Sequence, residues 1–248
     1  MLLGVALISG KINEFKKYKP KDFLIIASTG LLGTFFYYVF YYAGNKVLAA
    51  SQAFIINYMW PMMSVVFAII ILKEKLTFRK AIAILVSFLG VGVVMGNGIL
   101  QFNKGALVGA FMCLLAAVSY GLFAALNKKT GYERISAMLV GYFAAFVLTG
   151  IILAIRGELF IPKGNQLLGI AWNGMFTMSL ANTLWVIALS KGDTAKISNL
   201  AYITPFLSLV WTALILKEKI TVNAVIGLAV IVLGILIQLK NKSKENTR

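Results

Sequence analysis

Asn57-Tyr58-Met59-Trp60-Pro61 sets a proline and two large, polar-edged aromatics in the middle of an apolar run of hydrocarbon length. A second stretch, Ala201-Tyr202-Ile203-Thr204-Pro205, follows 144 positions later. Each continues without a gap into the same four residues, Leu-Lys-Glu-Lys, at 72–75 and at 216–219. The register holds along both segments: Tyr58 pairs with Tyr202, Pro61 with Pro205 and Glu74 with Glu218. The chain therefore carries an internal repeat, and the repeated unit is itself apolar.

Composition agrees with a membrane class. Of 248 residues, 60% are apolar and only 13% charged, and the mean hydropathy is +0.87, more than a soluble domain of this size needs. The net charge of +16 does not mark a nucleic-acid partner, because the lysines form neither a face nor one long tail; they sit in short clusters between apolar runs. The one cysteine, Cys113, lies inside an apolar run, so there is no disulfide framework and no metal-ligand spacing. Histidine is absent, which removes the commonest general base and metal ligand.

Met1 to Gly10 is apolar but covers half of the roughly 20 residues that a spanning helix requires. It reads as a helix stub. A signal peptide would need basic residues ahead of the apolar core, and here Lys11 follows it. Eight runs of spanning length come next, at about 23–44, 50–72, 80–98, 105–127, 135–155, 167–190, 196–216 and 221–239. Helix is the state expected for all of them, because hydrocarbon offers an open strand no hydrogen-bond partners. Alternate connections at 11–22, 73–80, 128–134, 191–196 and from 240 onward hold eighteen of the cations; the other loops hold only Lys46, Lys104, Arg156, Lys163, Lys217 and Lys219. The positive-inside rule makes the eighteen-cation side cytoplasmic, with the carboxyl terminus on it. The two copies then cross in opposite directions, which predicts an inverted repeat with a pseudo-two-fold axis in the membrane plane, a ground plan of secondary transporters.

These residues resemble the drug/metabolite transporter superfamily in its EamA-like branch: the paired Pro61 and Pro205 helices, the Lys-Glu-Lys ends at Glu74 and Glu218, and glycine-containing helices in which Gly90 matches Gly234. Asn57 to Pro61, with Leu184-Trp185-Val186-Ile187-Ala188-Leu189, is most similar to the aromatic amino-acid exporters of that branch. The resemblance implies ten helices in two five-helix inverted repeats around a central substrate cavity. Residues 1–98 would be the remainder of the first repeat (half of helix two and helices three to five), 105–239 the second repeat, and 240–248 a basic cytoplasmic tail. On that plan the sequence as given begins within the second helix, through a wrong start codon, a fragment or a genuine short start, and only the last would leave the cavity without one wall.

A proline inside a helix removes one backbone hydrogen bond and frees a carbonyl, which near the bilayer midplane can face a cavity. Asn57, Pro61, Ser64 and Ala68 share one helix face, as do Ala201, Pro205, Ser208 and Thr212. Both faces are expected to look into the centre, although small residues at such spacing also serve close helix packing. The repeat pairs Tyr38 with Asn182 and Tyr41 with Trp185. Asn182 and Trp185 share a face with Met178 and Met175; aromatic edges and thioethers suit a planar apolar side chain, and an amide can hold an ammonium or a carboxylate. Tyr38 and Tyr41 fit a cavity wall or an interfacial aromatic belt equally well. The expected substrate-contact residues are Asn57, Tyr58, Trp60, Pro61, Tyr120, Asn182, Trp185, Tyr202 and Pro205.

Glu74 and Glu218 lie at helix ends between lysines, where ion pairing and chain reversal account for them better than proton coupling. Gly92 with Gly96 and Gly105 with Gly109 have small-xxx-small spacing and read as packing contacts. No phosphate loop, nucleophile elbow or paired catalytic carboxylates appear, so no catalytic residue, metal site or cofactor is expected. The sequence reads as an all-α polytopic membrane protein, an inverted-repeat helical bundle that exports small organic solutes, amino acids or related metabolites, by alternating access. Its expected partners are a small-molecule substrate and the lipid bilayer of the inner (plasma) membrane, not nucleic acid, with pairing into a homodimer left open. The rival readings are a non-transporting membrane subunit or inactive fragment, and a membrane-embedded enzyme acting on lipid-linked substrates. The enzyme would need His, Asp or Glu at membrane depth, and none is there.

The loop charges place Lys75 and Lys219 on opposite sides of the membrane although both end the same tetrapeptide. With Cys113 replaced and a single cysteine at either position, an impermeant thiol reagent applied to intact cells should label 219 and spare 75; equal labelling would remove the inverted topology.

Overall fold

The computed structural model describes residues 1–48, 53, 56–95, 104–204, 207, 211, 214 and 222–239. These form helices, with no strand among the described residues: α1 (Leu2–Ile8), α2 (Pro20–Leu31), α3 (Tyr37–Asn45), α4 (Trp60–Leu72), α5 (Phe78–Met95), α6 (Lys104–Thr130), α7 (Arg134–Arg156), α8 (Asn165–Trp172), α9 (Asn182–Lys191), α10 (Thr194–Leu200) and α11 (Val222–Leu239). A 3-10 turn, Lys11–Lys17, occupies the place of the first lysine cluster. The segments Pro20–Asn45, Leu107–Thr130 and Arg134–Arg156 are long and apolar enough to cross a membrane, and Trp60–Leu72 is a shorter apolar helix.

Two helices depart from the α ladder at matching places. Leu32–Phe36 is π-helical and joins α2 to α3, and Asn173–Ala181 is π-helical and joins α8 to α9. Moved by the 144-residue offset, the first falls within the second. The proline stretches also differ from a plain kinked helix. Tyr58 and Met59 form a turn, and Pro61 stands in the first turn of α4, where a missing N–H costs little. At the equivalent place in the other copy, Ala201–Ile203 is a 3-10 turn. Pro205, Ser208, Thr212 and the Leu-Lys-Glu-Lys at 216–219 lie outside the described residues, as does Gly96.

The first Leu-Lys-Glu-Lys is a helix stop. Lys73 takes left-handed φ (58°), the Glu74 N–H closes back on Ala68 O at 3.3 Å, and the Glu74 carboxylate accepts Thr194 Oγ1 at 2.8 Å at the start of α10. Its neighbour Asp193 caps the same helix through Lys196 N (3.0 Å) and pairs with Lys80. Burial opposes ionisation of Asp193, but the hydrogen bonds from Lys80 and from the Lys196 N–H prevail and hold its carboxyl below the usual carboxylate range. The role expected for Glu74 at a chain reversal is the one it has.

The chain divides into two compact units, Met1–Phe36 with Phe123–Lys191 and Tyr37–Leu122 with the remainder, so each draws on both copies of the repeat. In the first unit α2 crosses α7 where Gly30 meets Gly141, and the Phe123 ring fills the space over Gly33. The 3-10 turn is tied to the start of α7: Ser136 Oγ donates to Lys11 O (3.0 Å), Glu133 N–H to Tyr18 OH (3.2 Å) and Tyr132 OH to Asp22 Oδ1 (2.8 Å). In the second unit α5 and α11 pack along their length. A Cβ on Gly90 would stand 2.9 Å from Gly227 O and 2.7 Å from Ile231 Cγ1; one on Gly234 would stand 2.8 Å from Ala83 O. Ser87 Oγ donates to Ile231 O at 3.4 Å. These contacts are images of one another under the offset, which exchanges Gly90 with Gly234, Ala83 with Gly227 and Ser87 with Ile231.

Backbone atoms block both glycine positions, so the helices cannot give way by a rotamer change. Gly90→Val and Gly234→Val should each destabilise by about 1–3 kcal/mol, read as a lower melting temperature in detergent. Gly150→Val, at a glycine with open space around it, serves as the control and should leave that temperature unchanged.

Candidate functional site

In the second unit the turn at Tyr58–Met59 splits the proline stretch into two faces. Asn57 is only 5% exposed, and its Nδ2 donates to Tyr37 OH at 2.9 Å; its Oδ1 is buried with no hydrogen-bond partner among the described residues. Leaving a buried amide end unpaired costs free energy, so the position is set for something other than packing. Tyr37 continues the cluster: its ring lies 5.3 Å from Tyr120, 4.8 Å from Tyr38 and stacks 6.1 Å from Tyr41. Trp60 meets Tyr120 edge-on at 5.0 Å. The approach depends on Gly121, whose missing Cβ would stand 2.6 Å from the Met63 backbone. Asn57, Trp60, Tyr120 and Tyr37 are thus one amide-and-aromatic set.

Tyr58 and Tyr202 are placed differently. They join Val65, Ile84, Val91, Ala195 and Ile231 in the core of the unit, where Tyr202 is 0% exposed with the Phe88 ring at its edge and its hydroxyl beside the Met62 backbone. Pro61, Ser64 and Ala68 are buried on one face, as their spacing predicts, and that face is a packing face: Ser64 lies against Gly121 and donates to Trp60 O at 2.9 Å. Pro205 lies outside the described residues. Tyr41 packs against Leu48, Ala53 and the buried thiol of Cys113, while Tyr42 is exposed.

In the first unit Asn182 and Trp185 follow the π-helical segment on the half-buried face of α9. Asn182 Nδ2 donates to Tyr142 OH at 3.2 Å, and Tyr142 OH donates in turn to Met178 O. A cavity of about 360 Å³ opens beside this chain of bonds, lined in part by Leu139, Tyr142, Gly174, Met178 and Ser179. Sequence reading placed Asn182 and Met178 on one face and missed both phenols. Tyr37 could have been singled out from the aromatic run that contains it; Tyr142 could not, because its partners are 36 and 40 residues away. No cluster of metal-ligating side chains occurs among the described residues.

Apolar helices of spanning length, with amide and phenol groups turned into them, define a multi-pass helical membrane protein. The model of the EamA-like transporter family matches residues 1–96 and 107–239, and the chain belongs to that family, within the drug/metabolite transporter superfamily. An uncharacterized transporter of Archaeoglobus fulgidus is 24% identical over 97% of this chain and 84% of its own length. One from Clostridium kluyveri is 28% identical over 82% and 66%. The aromatic amino acid exporter YddG of Ancylobacter novellus is 24% identical over 72% and 63%. A solved crystal structure has the same fold, with a TM-score of 0.83 at 20% identity over 96% of this chain and 81% of that one.

Because Gly121 sets the distance between α4 and α6, Gly121→Val should push Trp60 and Tyr120 apart. The expected result is a several-fold higher KM for the transported solute at unchanged membrane abundance; an unchanged KM would show that the pair does not depend on this contact.

Proposed function

We propose that the protein is a secondary transporter that carries a small organic solute, an aromatic or neutral amino acid or a related metabolite, out of the cytoplasm by alternating access. It would sit in the inner (plasma) membrane with its carboxyl terminus cytoplasmic. The observation that carries this reading is the Asn57 amide, held at one end by Tyr37, unpartnered at the other and set among Trp60 and Tyr120. An amide suits a zwitterion without imposing net charge, and the rings suit a planar side chain. Relatives named as transporters, one of them an aromatic amino acid exporter, support the same class. The reciprocal contacts of α5 and α11 and the matched π-helical segments support two repeats of one design, and the alternating loop charges support their inversion.

The physical preference can be bounded. Burying an aromatic side chain rather than a small one contributes about 2 kcal/mol, and ring contacts add about 1 kcal/mol. Together these amount to roughly a hundredfold discrimination. With no formal charge in the set, acidic and basic amino acids are disfavoured. In efflux assays from cells loaded with labelled amino acids, Trp60→Ala or Trp185→Ala should erode the ratio of phenylalanine to alanine export, while Asn57→Ala weakens both alike. Absence of any amino-acid export by the unaltered chain, with its membrane insertion confirmed, would sink the reading.

A further inference from the structure

The hydrogen bonds around Tyr142 fix something that amide geometry alone does not. A phenol has one proton to donate. Here it goes to the carbonyl of Met178, which lies in the π-helical segment Asn173–Ala181. The phenol oxygen is then left only as an acceptor, so Asn182 must present its NH2 end to Tyr142, as it does at 3.2 Å. The Asn182 Oδ1 is thereby turned away from Tyr142. At ordinary sites the two ends of an asparagine are interchangeable by a flip of the side chain; at this one a flip would set Oδ1 against a phenol oxygen that donates to the Met178 carbonyl.

Asn57 carries the same bond pattern in the other unit, with Nδ2 on the Tyr37 phenol and Oδ1 unpartnered. Two asparagines, each held by a tyrosine through the amide nitrogen, both leave a carbonyl oxygen to accept. An acceptor with no donor of its own selects a solute that brings N–H groups, and a charged donor strengthens the bond. We propose that Tyr142 is a positioning residue which, braced by the Met178 carbonyl, holds the Asn182 Oδ1 as an acceptor for the protonated amine of the transported solute. The Asn182 end of the site therefore selects for the ammonium group. This rests on the transporter reading above, and goes beyond it in naming the group recognised and the residue that orients its acceptor.

The test compares three solutes in efflux from cells expressing the full chain: phenylalanine, phenethylamine, which keeps the amine and lacks the carboxylate, and phenyllactate, which lacks the amine. In the unaltered protein phenylalanine and phenethylamine should compete for export, and phenyllactate should not. Tyr142→Phe removes the brace and should raise KM for the two amines about tenfold, the loss of one charge-assisted hydrogen bond, with maximal rate changed less than about twofold on the same basis and no effect on phenyllactate. Tyr142→Phe added to Asn182→Ala should do no more than Asn182→Ala alone, because the phenol acts only through the amide. Should Tyr142→Phe fail to reach the membrane, Asn182→Leu leaves the Tyr142–Met178 bond intact and carries the same expectation. Equal KM changes for all three solutes, additive effects in the double variant, or unchanged amine export would each overturn the proposal while leaving the transporter reading in place. Failure of the unaltered protein to export any amine would overturn both.

Discussion

In hydrocarbon no water takes up a backbone group that has lost its partner, and this constraint bears on the irregular points within the apolar segments among the described residues. The α ladder is broken at Leu32–Phe36, at Tyr58–Met59, at Asn173–Ala181 and at Ala201–Ile203. Side chains supply partners near these breaks. Thr34 Oγ1 donates to Gly30 O at 2.8 Å, Ser64 Oγ to Trp60 O at 2.9 Å and Tyr142 OH to Met178 O. The breaks are therefore places where the fold brings hydroxyls to the backbone, and the amides of the candidate site lie beside them. Local π-helix is uncommon in proteins and concentrates where function needs it.

Helix association in lipid has little hydrophobic drive and relies on close approach. Glycine provides it here. Gly90 with Gly227, Gly234 with Ala83, Gly30 with Gly141, Gly44 with Gly109 and Gly121 with Met63 each let two backbones come nearer than a Cβ would allow. The Gly90 and Gly234 contacts are images of each other under the 144-residue offset, as in an isologous contact between two copies. The same correspondence does not extend to all the polar residues: the offset carries Asn57 onto Ala201 and Tyr38 onto Asn182. The packing glycines thus keep the 144-residue register, as Tyr58 with Tyr202 and Glu74 with Glu218 do, while Asn57 and Tyr38 do not.

Much was legible in the amino-acid sequence. The spanning helices near 23–44, 105–127 and 135–155, the repeat and the family follow from apolar length and from recurring residues, because hydrocarbon permits few alternatives. Glu74 reads correctly as a chain-reversal residue from its neighbours alone, and the common face of Pro61, Ser64 and Ala68 follows from helical spacing; Asn57 is parted from it by the turn at Tyr58–Met59. What helical spacing cannot say is which neighbour a face meets. Ser64 and Ala68 turned to packing, Tyr58 and Tyr202 to the core, and Trp60 to Tyr120.

Sequence by itself thus determined the class of fold, through the requirement that a long apolar segment satisfy its own backbone, and the pairing of positions 144 apart. Tertiary structure decided the chemistry of the candidate site. Tyr37 reaches Asn57 across 20 residues and Tyr142 reaches Asn182 across 40; hydrogen bonds of that span leave no periodic trace in a chain. The π-helical register at Asn173–Ala181 is equally invisible, since it shifts no residue type and shows itself only when a phenol on another helix arrives to take the carbonyl it frees.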